Sequence, residues 1–169
     1  PLTARNGRQR VCGDPMSPDT HSGYEFADGV PIEPIEPGST VLVAGPALSP
    51  SDDLALSMIT DGCAYDEGLL FISTTMTCEK LLQRCNRANS SFDTSQTGVI
   101  DCSGQGLGKS RFEVEVRSIS TQKDLTGIGM KFSALYESLY ADAREGRVRT
   151  GLFSLSSLAM YVDMRSLYQ

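Results

Sequence analysis

Residues Pro37–Ile59, PGSTVLVAGPALSPSDDLALSMI, constrain this chain more than any other stretch. An apolar run (Val41–Ala44) meets a turn at Gly45-Pro46, a short loop comes next, and an apolar-periodic helix begins near Asp52. Strand, turn and helix in that order open a βαβ unit, and they also have the layout of a phosphate-binding loop. A working loop of that kind reads G-x-x-x-x-G-K-[ST]: its glycines let backbone N–H groups wrap the phosphates, Lys reaches the terminal phosphates, and Ser/Thr holds Mg²⁺. Started at Gly45, the pattern puts Pro50 at the second glycine, Ser51 at the lysine and Asp52 at the Ser/Thr. Pro50 removes a donor N–H, Ser51 removes a positive charge, and the Asp52 carboxylate would face the phosphates. The layout is kept and the binding chemistry is lost.

At 169 residues the chain has one domain's worth of sequence. Residues 1–38 are rich in Pro, Gly, Asp and Ser, which predicts a disordered tail over Pro1–Ser22 and an extended lead-in over Gly23–Gly38, where each residue before a Pro is pushed out of the helical region. The domain proper is expected over 39–169. Strands are predicted at Thr40–Ala44, Leu69–Ser73, Thr97–Asp101, Phe112–Ser118 and Thr150–Leu155. Helices are predicted at Asp52–Gly62, Cys78–Asn86, Gly127–Glu145 and Leu158–Leu167. Asp52-Asp53, Thr77, and Asp124 or Thr126 are the expected caps of the first three. Strands alternating with helices make an α/β fold, a three-layer sandwich around a mainly parallel twisted sheet. Phe112–Ser118 stands apart: its charged and apolar residues alternate, as in an edge strand with one wet face.

Charge and cysteine usage exclude some classes. A net charge of −6 argues against a nucleic-acid binder. Arg144, Arg147 and Arg149 cluster, but basic residues expected in a last helical turn complement its dipole. Arg5, Arg8 and Arg10 read as a solvated tail. The five cysteines form no CxxC pair, so buried thiols in a reducing cytoplasm are expected, with Cys78 and Cys85 on one helix face. No metal site is expected, the only histidine being His21 in the tail. No run approaches the roughly 20 apolar residues that span a bilayer, and PLTARNGRQR lacks the apolar stretch of a signal peptide. No Met opens the chain, in keeping with a fragment.

Ser103–Ser110, SGQGLGKS, holds a Gly-Lys-Ser after an apolar strand but has Ser103 at the place of the first glycine. The next ten residues, RFEVEVRSIS, have strand periodicity, whereas a phosphate loop must open a helix. A glycine loop between two strands is the expected reading, with an anion site at Lys109 and Ser110 as its rival.

From about Ile35 to Gln169 the chain resembles the KaiC/RadA-type branch of RecA-superfamily ATPases, and within it the small KaiC-like proteins of haloarchaea. PGSTVLVAGP with LALSMI is similar to that family's strand–P-loop–helix, and GLLFISTTMTCEKLL to its second strand and helix. DLTGIGMKFSALYESL and SLSSLAMYVDMRSLYQ are the segments most similar to the haloarchaeal members. The resemblance implies a RecA-like P-loop NTPase core, here truncated at the C-terminus because such cores carry further strands. It implies vestigial nucleotide positions at Gly45, Pro46, Ser49, Ser51 and Asp52. It also implies a failed catalytic set: Ser51 for the lysine, Thr75 and Met76 for the water-activating glutamates, and Phe153 for the Walker B aspartate. Each missing group is one that orients or neutralises a transferring phosphate, so no catalytic residue and no hydrolysis are expected. Asp101 and Asp163 are the candidate substitutes, Asp101 reading better as a cap or turn residue. The leading expectation is a regulatory or signalling scaffold that binds a protein partner or its own copies, with no cofactor. The alternatives are a switch that binds ATP weakly and a DNA-associated recombinase relative.

Overall fold

The computed structural model describes residues 23–26, 32–46, 49–105 and 114–161. Two apolar runs with no polar interruption form the middle of the sheet: β1 (Gly68–Ser73) and β2 (Thr97–Asp101), each buried at every position. Such runs suit parallel strands covered on both faces. β3 (Glu115–Ser118) pairs with β2 and β4 (Val148–Phe153) with β1, giving an all-parallel sheet in the order β3-β2-β1-β4.

Helices cover both faces. On one side α1 (Ser51–Thr60) and α2 (Cys78–Ala88) bury Leu56, Ile59, Leu81 and Leu82 against Leu69, Phe71, Val99 and Phe153. On the other, α3 (Leu125–Asp142) and α4 (Leu155–Tyr161) cover Leu70, Ile72, Ile100 and Val148 with Ile128, Leu135, Leu139 and Leu158. Alternate β1 residues thus feed alternate faces, as the two-residue period of a strand requires. Gly151 permits the closest of these contacts: a Cβ there would stand 2.1 Å from Ile59 Cδ1, so only glycine lets α1 lie on β4.

The α/β three-layer expectation holds, with several corrections. Thr40–Ala44 is not a strand. The segment has no sheet partner, and Val41 and Leu42 are 47% and 75% exposed. β-branched and apolar side chains favour a strand only against neighbours, and both edges of β1 are taken by β2 and β4. α1 is capped by Pro50 rather than by an aspartate side chain, so Asp52 and Asp53 lie in its first turn. α2 runs two residues further than expected, and its Thr77 cap accepts from Lys80 N–H. α3 starts at Leu125, with the Asp124 carboxylate accepting from Gly127 N–H at 2.8 Å. It ends at Asp142, before the arginines. Arg144 lies in a 3₁₀ turn (Arg144–Gly146) and Arg149 inside β4, so neither complements the α3 dipole. β4 begins two residues before its predicted start and α4 three before its own. β3 keeps the predicted wet edge, yet runs parallel to β2. In the lead-in, Tyr24 and Ile35 form an isolated antiparallel bridge. Cys12, His21, the arginines of the tail, Lys109, Ser110 and Asp163 lie outside the described residues.

Candidate functional site

In an open parallel sheet, ligands bind beyond the carboxyl ends of the strands, at the point where successive connections leave in opposite directions. Here that point lies between β1 and β4: the chain leaves β1 toward β2 and reaches β4 from the far edge. The crevice is filled by the chain itself. Thr74 Oγ1, fully buried, donates to the carbonyls of Phe153 (2.9 Å) and Ser154 (3.1 Å). Ser154 takes φ +66°, a left-handed conformation rare outside glycine, and its hydroxyl lies 2.8 Å from that of Ser157. Gln122 donates its side-chain amide to Thr74 C=O. The loop holding the two positions expected to have lost glutamates is fixed locally: Ser73 Oγ donates to Met76 C=O at 2.7 Å and accepts its N–H at 3.2 Å. Phe153, at the expected Walker B position, is buried with its ring 6.1 Å from that of Phe71.

The five positions expected from the sequence as vestigial phosphate sites sit at or just before the start of α1. Gly45 and Pro46 are exposed, and a Cβ on Gly45 would meet Ser49 Oγ at 2.3 Å, so the turn is folded tightly on Ser49. Ser49 N–H donates to Pro46 C=O at 3.0 Å, and its hydroxyl donates to Ser51 Oγ at 3.1 Å. The Ser49 hydroxyl thus gives its proton to Ser51. Asp52 and Asp53 point to a partner the sequence did not suggest: Arg84 of α2, whose two guanidinium nitrogens lie 3.4 Å from Asp52 Oδ2 and 2.6 Å from Asp53 Oδ1. Arg84 also reaches Met76 Sδ at 3.4 Å, which ties α1, α2 and the loop after β1 together. The carboxylates therefore carry their own counter-ion.

Asp101 is a structural residue, as its place at a strand end suggested. Its Oδ2 accepts the first N–H of α2 (Cys78, 2.8 Å) and its Oδ1 accepts from Ser103 N–H (2.9 Å). Beside it opens a cleft of about 260 Å³ lined by Cys102, Ser103, Gly104, Ser120, Thr121, Gln122 and Lys123. Its walls carry hydroxyls, the Gln122 amide, the Cys102 thiol and the Lys123 amine, with no carboxylate or imidazole among the lining residues. Among the described residues no three His, Cys, Asp or Glu side chains gather as a metal site, and no helix is long and apolar enough to cross a membrane.

The strongest electrostatic feature lies at the opposite end of the sheet. Arg149, 5% exposed in its side chain, is ion-paired through Nε to Glu67, itself 2% exposed. Its two terminal nitrogens donate to Met58 C=O (2.7 Å) and Glu25 C=O (2.6 Å). Tyr24, Phe26 and Tyr65 surround the guanidinium at 5.5, 5.0 and 5.7 Å from their ring centroids, distances at which a cation is attracted to an aromatic face. This cluster anchors the lead-in to the sheet. Sequence reading missed it because its members are scattered over four segments.

Fold and site together define an α/β domain with a parallel sheet whose ligand crevice is closed by its own side chains. The chain belongs to the family of unknown function DUF7504, whose model matches residues 38–169. No curated protein matches it, and no solved structure does either.

Proposed function

We propose that this chain is a RecA/KaiC-like domain that does not hydrolyse nucleotide and acts through contacts with protein partners or further copies of itself, in signalling or regulation. The observation that carries the reading is the start of α1, where Arg84 is already paired with Asp52 and Asp53 and Ser49 is bonded to Ser51. A phosphate arriving there would displace that arrangement with no lysine to replace it. The helix dipole would return on the order of 0.3–1 kcal/mol, whereas one carboxylate at about 4 Å opposes it by about 4 kcal/mol at an effective dielectric of 20. Thr74 filling the crevice and Phe153 at the metal-holding position support the same reading. The unpaired cysteines of the described residues fit a reducing compartment such as the cytoplasm.

Calorimetric titration with ATP and magnesium, in low and in molar salt, tests it. The expected result is no heat and no thermal shift at millimolar nucleotide. Binding tighter than about 0.1 mM that is abolished by altering Gly45 or Ser49 would favour a nucleotide switch instead. Magnesium-dependent turnover would end the reading outright.

A further inference from the structure

We infer that the cleft beside Asp101 is a binding site for a small phosphate-type oxyanion, either inorganic phosphate or the head of a phosphate monoester. The cleft lies beyond the carboxyl ends of β2 and β3, between residues 102–104 and the loop 120–123 that leads into α3. That is the end of a parallel sheet at which ligands bind. The two walls face each other closely: a Cβ on Gly104 would stand 3.7 Å from the carbonyl oxygen of Ser120. Neither the start of α1 nor the crevice between β1 and β4 lines it, so the inference does not rest on the reading given above for those places.

The walls are rich in donors, and several of their acceptors are already engaged. The Ser103 hydroxyl accepts from Gln105 N–H at 3.4 Å and the Thr121 hydroxyl from Lys123 N–H at 3.3 Å, so each keeps its own proton to give. The carbonyls of Thr121 and Lys123 accept from Asp124 N–H (3.2 Å) and Leu125 N–H (3.0 Å). Ser120 adds a third hydroxyl and Lys123 an ammonium. The backbone N–H groups of Gly104, Ser120, Thr121 and Gln122 have no acceptor among the described residues. Successive N–H groups around a turn make an anion-binding concavity, and a phosphate group brings three strong acceptor oxygens to it.

Charge and size agree. In a chain of net charge −6 this cleft has no carboxylate in its lining. The neighbouring carboxylates are turned to donors of their own: Asp101 to the N–H groups of Cys78 and Ser103, Asp124 to that of Gly127. Lys131 donates to Ser118 C=O at the carboxyl end of β3, which brings a second ammonium to the same side. Burial pushes the Cys102 thiol up to about 11, so it stays neutral and adds no competing charge. The walls are also held in place before any ligand arrives, by Gln122 on Thr74 C=O, Ile119 N–H on Asp101 C=O and Cys102 N–H on Ser73 C=O, and such preorganisation lowers the cost of binding. A volume of about 260 Å³ falls below the roughly 300–1,000 Å³ of sites for larger ligands, which suits a single phosphate group rather than a whole nucleotide.

Titration of the whole chain with inorganic phosphate at constant ionic strength, read by NMR at the backbone amides, is the test. The expected result is saturable shifts at Gly104, Ser120, Thr121 and Gln122 with a Kd below about 1 mM, while the Leu70 amide in the middle of the sheet does not move. Lys123→Gln should weaken binding about 10-fold or more and Ser120→Ala about 3-fold, as loss of a charged and of a neutral donor imply. Acetate, with fewer oxygens and less charge, should bind about 10-fold more weakly than phosphate. No saturable shift at these amides up to about 10 mM phosphate would overturn the proposal. So would binding that survives both substitutions, or equal shifts with acetate or chloride, which would reduce the effect to screening of Lys123. Shifts at Ser49 and Ser51 in place of the cleft amides would put the anion at the start of α1, and would count against both this inference and the reading of α1.

Discussion

The two ends of the sheet are built from opposite materials. At the amino end a buried ion pair, Arg149–Glu67, is wrapped by aromatic rings and backbone carbonyls. At the carboxyl end neutral hydroxyls close the crevice, the buried Asp101 carboxylate is taken up by the N–H groups of Cys78 and Ser103, and the start of α1 carries the partly exposed Arg84 and the exposed Asp52 and Asp53. A catalytic domain usually shows the reverse, with perturbed and buried charges where ligands bind. In this chain electrostatic cost is invested in holding the lead-in to the sheet. The two ends should therefore respond differently to substitution.

The largest effect belongs to the amino end. Arg149→Met leaves Glu67 buried without its partner, and breaking a buried pair from one side costs about 3–5 kcal/mol. Chemical denaturation should show that loss, and the double variant Arg149→Met/Glu67→Leu should recover much of it, because the pair as a whole competes with apolar packing. If the single variant lost less than about 1 kcal/mol, against that 3–5 kcal/mol expectation, the contrast between the ends would collapse.

Next is Thr74 at the carboxyl end. Thr74→Val keeps the shape and deletes the hydroxyl shared by Phe153 and Ser154, so the buried Phe153 carbonyl loses a donor at about 1–3 kcal/mol. Thr74→Ser should be milder. A variant that is destabilised and also begins to bind ATP in calorimetry would show that Thr74 is what keeps the crevice shut.

The legibility of each feature in the sequence depends on how far away its partner lies. β1 and β2 are short-range features, unbroken apolar runs bounded by polar turns, and they lie within a residue of their predicted positions. The caps Thr77 and Asp124 are equally local, with partners three residues away. Arg84 and Thr74 could not be read this way, because their partners lie 31 and 79 residues away. Arg149 was misread for the same reason: as a letter it is one of three arginines after a helix, and only the fold reveals Glu67 beside it. Val41–Ala44 failed differently. Its pattern is that of a strand, but pairing is a property of two segments.

The thiols give a smaller effect with a pH signature, with Cys85 in the helix layer and Cys78 and Cys102 near the carboxyl end of the sheet. Burial pushes Cys85 up to about 12 and Cys78 and Cys102 up to about 11, from an ordinary 9.0. Below about pH 9 the thiols are protonated in folded and unfolded chains alike, and their contribution is intact. As pH rises through the ordinary value of 9.0 the unfolded chain releases these protons first, so stability falls until the folded thiols ionise in turn. Each thiol contributes up to about 1.4 kcal/mol per pH unit to that fall. Cys85→Ala should flatten the slope measured between about pH 9 and 11, whatever it costs near neutral pH. An unchanged slope would mean that the thiol ionises as easily folded as unfolded.

The smallest effect is expected at Arg84, at the carboxyl end. Its side chain is 29% exposed and those of Asp52 and Asp53 are 60% and 69% exposed. Pairs in such surroundings contribute about 0.2–1 kcal/mol each, and molar salt, with a screening length of about 3 Å, should erase most of that. Arg84→Gln should therefore lower stability slightly at low ionic strength and almost not at all in molar salt. The variant leaves two carboxylates in the first turn of α1 with no counter-ion, so it should repel ATP more strongly than the unaltered chain. A loss above about 2 kcal/mol that persists in molar salt, well beyond what exposed pairs supply, would mean that Arg84 acts through its packing on Met76 rather than through charge. The start of α1 would then be a rigid, pre-organised surface, more like the amino end than its exposed charges suggest.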